Sequence, residues 1–155
     1  MKPKTYTQIY IHLIFAVKNR DCLLRKQNRD KLFRYVSGIL GKQKCKSIIV
    51  NGYSDHIHIL TGLNPNISIS DLVREVKRSS SLHINSEKWF QSKFSWQDGY
   101  GAFSHSRSQI EKVFEYIKNQ ELHHGVKQTF KDEYLAILRK NEIEFENEYV
   151  FIFFS

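Results

Sequence analysis

The chain has 155 residues, 41% hydrophobic and 14% aromatic, which suits one folded domain over residues 1–155. No run approaches the roughly 18 to 20 apolar residues of a membrane span, and Cys22 and Cys45 alone make no disulfide framework, so a cytoplasmic protein with reduced thiols is expected. The net charge of +8 is uneven: residues 1–100 hold 17 Lys+Arg against 7 Asp+Glu, and residues 101–155 hold 7 against 9, which points to a polyanion partner for the body.

The basic start and apolar patch of MKPKTYTQIYIHLIFAVKNR have the look of a signal peptide. The patch alternates, contains His12 and lacks a small-residue cleavage site, so it reads as a first strand over Gln8 to Val17. A basic loop leads to a helix within 26–43, where Leu32, Phe33, Val36, Ile39 and Leu40 recur at helical spacing and Gly41 marks the end. Lys46 to Tyr53 is a second strand, with Asn51-Gly52 at or just before a turn. His56 to Gly62 is a third. After Asn64-Pro65-Asn66, Ser68 or Ser70 caps a helix carrying Leu72, Val73 and Val76. Further strand is expected from Lys93 to Trp96, extending towards Phe103 across Gly99 and Gly101. A helix from Ser108 to His123 carries the stripe Ile110, Val113, Phe114 and Ile117, and a last helix covers Phe130 to Asn141. The tail, NEIEFENEYVFIFFS, is acidic and then apolar. The order β-α-β-β-α-β followed by two helices predicts an α+β, ferredoxin-like antiparallel sheet with helices on one face plus two C-terminal helices.

The stretch SDHIHIL, residues 54 to 60, places two imidazoles on one strand. Residues i and i+2 share a face about 6.5–7 Å apart, so His56 and His58 point the same way while Ile57 and Ile59 point to the core. Imidazole ligates Mn²⁺, Zn²⁺ and similar ions, but two ligands bind weakly and a third must come from another element. Without one, the pair is simply two polar residues on a half-exposed strand. The 108–123 helix offers Glu111, Glu115, Tyr116, Gln120, Glu121, His123 and His124. Tyr116 and Gln120 lie one turn apart on one face, at the edge of the apolar stripe.

The succession of HIH on a strand, FSWQDGYGAFS (94–104) and YIKNQELHH (116–124) resembles the small single-tyrosine transposases of the insertion-sequence 200/605 group, with their two-histidine HUH motif. The likeness extends to the opening IYIHLIFAVKNR and the closing LRKNEIEFENEYVF. It implies that His56, His58 and Gln120 are metal ligands for Mg²⁺ or Mn²⁺ and that Tyr116 is the nucleophile. It further implies attack on a phosphodiester of single-stranded DNA, giving a 5′-phosphotyrosine and a free 3′-hydroxyl that later rejoins strands. The implied partners are single-stranded DNA with hairpin transposon ends and a second copy of the chain, in a homodimer whose active sites are shared between chains. Gly99, Gly101 and Ser104 to Ser108 would then form the joint before the tyrosine helix. The sequence departs from the pattern at His105, where an apolar residue is more usual.

The chemistry of the residues agrees with that implication. An anionic phosphodiester resists attack, and a bound Lewis acid eases it. A tyrosine, with an ordinary pKa near 10, needs positioning and activation. No P-loop, GxGxxG or serine-hydrolase elbow is present. Lys18, Arg20, Arg25, Lys26 and Arg29, then Lys42, Lys44 and Lys46, then Arg74, Lys77 and Arg78 are candidates for phosphate contacts. Tyr53, Trp89 and Tyr100 are candidate stacking platforms, whereas core packing suits Trp96 better. His12, His83 and His105 read as structural or exposed, and His123 and His124 carry no assigned role. Two other readings fit part of the pattern: a related HUH protein acting on repeated palindromes or in rolling-circle replication, and a non-catalytic single-stranded nucleic-acid-binding domain.

Overall fold

In a computed structural model, residues 4–126 and 129–146 are described. The apolar end of the tail, from 147 onwards, lies outside them. Four strands, β1 (Tyr10–Ala16), β2 (Lys46–Gly52), β3 (His56–Gly62) and β4 (Gly101–His105), form one antiparallel sheet in the order β2-β3-β1-β4. This is the ferredoxin-like arrangement expected from the order of elements. The helices are α1 (Lys26–Lys42), α2 (Ile69–Ser86), α3 (Ile110–Lys118), α4 (Gln120–Val126) and α5 (Phe130–Lys140).

Alternation along the strands separates two faces. Leu13, Phe15, Ile57 and Ile59 are buried in one apolar cluster with Leu32, Val36 and Leu40 of α1 and Leu72, Val76 and Ile84 of α2. Ser68 caps α2 by accepting from the Asp71 amide, which fixes where this helix begins. The opposite face is covered by α3 and α5. Ile110 and Ile117 pack with Leu60, and Phe130 and Leu138 pack with Ile14, Ala16 and Phe103. The C-terminal helices therefore turn the second face of the sheet into an interior.

Two local expectations change. Residues 93–96 do not form a strand: Trp96 makes only an isolated bridge to Val17, and the strand proper starts at Gly101. Asn85 accounts for this, because its side chain accepts from the Phe94 amide (2.8 Å) and donates to the Phe94 carbonyl (2.9 Å). Those backbone groups are thereby taken from any ladder. Trp96 is buried and donates to Ser80 Oγ at 2.9 Å, as a core residue. Asn51 and Gly52 belong to β2, and the turn follows them. A Cβ at Gly52 would meet the His56 carbonyl oxygen at 2.2 Å, so glycine is required where β2 passes the start of β3.

Candidate active site

β3 places His56 and His58 on the face covered by α3–α5, and both rings are fully buried. They are not the half-exposed pair a bare strand would present. Each ring is held from two sides. His56 Nδ1 lies 2.7 Å from Asp55 Oδ1, and its Nε2 lies 2.9 Å from Gln120 Oε1. His58 Nδ1 lies 2.8 Å from His12 Nε2 on the neighbouring strand, and its Nε2 lies 3.1 Å from Glu133 Oε1. The Phe130 ring stacks on His56 at 4.1 Å and closes that side.

The segment expected to be one helix over 108–123 is divided at Asn119. Asn51 of β2 explains the break. Its Nδ2 donates to the carbonyls of Ile117 (2.9 Å) and Lys118 (3.1 Å), capping the end of α3 against the sheet. Tyr116 thus sits on the last turn of α3 and Gln120 opens α4. Gln120 is fully buried, and Tyr116 is half-buried. Tyr116, Gln120, His56 and His58, picked out in the sequence, converge in this one chain. The joint proposed at Ser104–Ser108 spans the end of β4 and a short 3-10 turn at Arg107–Gln109.

What joins them is Glu133, on the first turn of α5 and 1% exposed. Its Oε2 accepts from the Tyr116 hydroxyl and from Gln120 Nε2 (2.8 Å). Its Oε1 faces His58 Nε2, His124 Nε2 (3.0 Å) and, at 3.3 Å, His56 Nε2. Sequence reading missed this residue. It also took His12 as structural, whereas His12 is the partner that orients His58. The side chain of His123 lies outside the described residues.

The electrostatics follow from these contacts. Burial alone would depress His56, but the hydrogen bonds and charges of Asp55 and Glu133 reverse this and raise it to about 9. His58 has no such second carboxylate. Burial, with repulsion from His56 and His124, outweighs Glu133 and brings it down to about 4. Burial opposes ionisation of Glu133, yet the hydrogen bonds from His124, His56 and His58 hold it well below the ordinary carboxylate range. Tyr116 is raised above the ordinary tyrosine value by burial and then by the adjacent Glu133 charge. The phenol is therefore held protonated unless that negative charge is compensated.

A divalent cation fits this donor set. The ligating atoms of His56, His58 and Glu133 lie within 4.8 Å of one another. The shorter separations among donor atoms, 2.9 Å from His56 Nε2 to Gln120 Oε1, 3.1 Å from His58 Nε2 to Glu133 Oε1 and 3.3 Å from His56 Nε2 to Glu133 Oε1, match adjacent vertices of an octahedron with bonds of about 2.1 Å. A mixed imidazole and oxygen set suits a first-row divalent ion. Asp55 and His12 are placed on the far ring nitrogens, where partners of metal-binding imidazoles are normally found.

The candidate phosphate contacts are less open than the sequence suggested. Arg74 pairs with Asp71 at 2.9 Å and Arg78 with Glu75 at 2.8 Å, both near the surface. Lys77 donates to the carbonyls of Gln97 and Gly99. Lys26 reaches Glu121 at 3.4 Å. Among the described residues, no helix is long and apolar enough to cross a membrane.

Fold and site together define an α+β protein with a buried candidate metal centre and a tyrosine at its edge. The chain belongs to the family of IS200-like transposases, whose sequence model matches residues 5–120. It is thus a transposase by family, and Glu133 lies beyond the matched segment. No curated protein matches the chain. The fold is similar to the crystal structure of a protein described as a transposase from Deinococcus radiodurans R1 (TM-score 0.60, 23% identity, covering 77% of this chain and 96% of that one). It is also similar to a REP-associated tyrosine transposase bound to a REP hairpin (TM-score 0.60, 14% identity, covering 85% and 78%).

Proposed function

We propose that the protein is a metal-dependent transposase for single-stranded DNA, with Tyr116 as nucleophile and His56, His58 and Gln120 as metal ligands, joined by Glu133. One observation carries the reading: the carboxylate that accepts from the Tyr116 hydroxyl is the same one that faces both histidines. A non-catalytic binding domain gives no reason to gather these groups in one buried set. The hairpin bound by one fold relative supports hairpin-bearing strands as substrate.

Tyr116 Oη forms a bond to phosphorus, the bond from phosphorus to the 3′ oxygen breaks, and that oxygen takes up a proton as the phenol loses one. The product is a 5′-phosphotyrosine and a 3′-hydroxyl, whose later attack reverses the step and rejoins strands without an external energy source. Mg²⁺ or Mn²⁺, when bound, would polarise the phosphate and offset the Glu133 charge that holds the phenol protonated. Glu133 orients the hydroxyl through Oε2. Its strongly ionised state makes it a poor final proton acceptor, so we assign it positioning. Gln120 spans the site, accepting from His56 through Oε1 and donating to Glu133 through Nε2.

The test is incubation with a 5′- and 3′-labelled hairpin-bearing strand from the ends of the encoding element. Wild type forms a covalent adduct with the fragment downstream of the cut, which carries the 3′ label, in Mg²⁺ and none in EDTA; an adduct of equal yield in EDTA contradicts the metal-dependent reading. The expected homodimer is examined in the same assay. Because one chain already brings all four residues together, mixing Tyr116→Phe with His56→Ala/His58→Ala regains no cleavage. Regained cleavage in exchanged dimers would place the tyrosine helix of one chain on the histidines of the other.

A further inference from the structure

Glu133 is more crowded than the positioning of one hydroxyl requires. Its Oε1 has His124 Nε2 at 3.0 Å, His58 Nε2 at 3.1 Å and His56 Nε2 at 3.3 Å, while its Oε2 already accepts from Tyr116 and Gln120. A carboxylate oxygen offers about two lone pairs, fewer than the three nitrogens that converge on this one. His56 Nε2 is shared in addition with Gln120 Oε1 at 2.9 Å. Donor atoms from β3, α4 and α5 thus face one another across a small interior space: two imidazole nitrogens, an amide oxygen and a carboxylate oxygen. The imidazoles and the amide are neutral donors, and a cation buried among them needs an opposite charge nearby. Asp55 is placed on the far nitrogen of His56, so the carboxylate at the inner nitrogens is that of Glu133.

The fold fixes this carboxylate from outside the site. Thr129 caps α5 by accepting from the Asp132 amide at 3.2 Å, which sets Glu133 on the first turn. The next residue, Tyr134, lies against the start of β4. A Cβ at Gly101 would meet the Tyr134 hydroxyl at 2.8 Å and its ring at 2.9 Å. Gly101, assigned to a joint on the sequence alone, therefore serves packing: it lets α5 approach the edge strand closely.

We infer that Glu133, through Oε1, is a further protein ligand for the divalent ion held by His56, His58 and Gln120, and that Gly101 positions it by seating α5. The inference rests on the reading of those three residues as a metal site. It ties metal and nucleophile to one side chain, because the other oxygen of the same carboxylate accepts from Tyr116. The C-terminal helix then belongs to the metal centre.

The test adds Mn²⁺ to the full metal-free chain and reads affinity by calorimetry and, at saturating Mn²⁺, the number of bound waters by EPR line broadening in ¹⁷O-water. Mn²⁺ takes about six ligands, so wild type retains about two waters and Glu133→Ala about three, with affinity lowered more than about 100-fold. Glu133→Gln, which keeps an oxygen in the same place without its charge, recovers the wild-type water count and part of the affinity. Gly101→Ala, which alters none of the ligands, lowers affinity about ten-fold. NMR spectra check that each variant is folded. An unchanged water count in Glu133→Ala, or tighter Mn²⁺ binding in it, overturns the assignment of Glu133, the second outcome showing a carboxylate that competes with the ion. Unchanged affinity in Gly101→Ala overturns the role of Gly101. The two readings fail distinguishably: wild type that binds no Mn²⁺ removes the metal site as a whole, whereas wild type that binds it with about three waters, the same as Glu133→Ala, removes Glu133 alone.

Discussion

Ile57 and Ile59 point to one face of the sheet and His56 and His58 to the other, and all four are fully buried. Burial is equal, but its cause is opposite. The isoleucines enter an apolar cluster with α1 and α2, where removal of surface from water is the driving force. The histidines enter a polar set whose members are desolvated at a cost and compensated contact by contact through Asp55, Gln120, His12 and Glu133. The first face specifies the fold. The second gives up stability for an arrangement that we propose serves chemistry.

The largest expected contrast comes from cutting each face. Ile59→Ala costs about 2–5 kcal/mol in denaturant unfolding but keeps Mn²⁺ binding in the folded protein. His58→Ala loses more than about 100-fold in Mn²⁺ affinity, beyond the range for outer partners of a ligand. Equal loss of Mn²⁺ binding in both would erase the distinction between the faces. A smaller effect, about ten-fold in Mn²⁺ affinity, is expected for Asp55→Asn, which keeps the shape but weakens the partner of His56 Nδ1. An unchanged affinity would reduce Asp55 to a turn residue.

The smallest effect sharpens the comparison through pH. His56, at about 9 in the metal-free protein, is charged at pH 7, so binding through its Nε2 expels about one proton per ion. His58, at about 4, is already neutral and contributes none. Calorimetry in buffers of different ionisation enthalpy reads this number, and Mn²⁺ affinity rises as pH approaches 9. In the metal-free protein the sign is reversed. A raised histidine stabilises fully below its ordinary value of 6.5, and this contribution is lost as pH rises through about 9. The isoleucine face carries no such dependence.

The same contrast governs what the sequence made legible. Period-two alternation around HIHIL and the helical stripes of α1 and α2 report burial of apolar groups, and the sheet order followed from them. The polar face was legible only where a pattern repeats, in the His-x-His pair, or where the family likeness marked Tyr116 and Gln120. Glu133 carried no signal. It follows the Thr129 cap with Asp132, and acidic residues in a first turn read as ordinary companions of a helix N-terminus. The division at Asn119 was hidden because its cause, the Asn51 amide on β2, lies far away in sequence and leaves the apolar stripe of α3 intact. His12 was hidden for a related reason: a histidine in a strand looks structural until the neighbouring strand places its Nε2 on His58.

The central claim is that the second face is an active site with Tyr116 at the reacting phosphorus. Its most direct test is to trap the adduct on a 3′-labelled strand in Mg²⁺, digest the protein and sequence the modified peptide by mass spectrometry. The expected result is a single phosphotyrosyl-DNA linkage at Tyr116, absent from Tyr116→Phe. A linkage on any other residue, or an adduct of undiminished yield in Tyr116→Phe, would contradict the account.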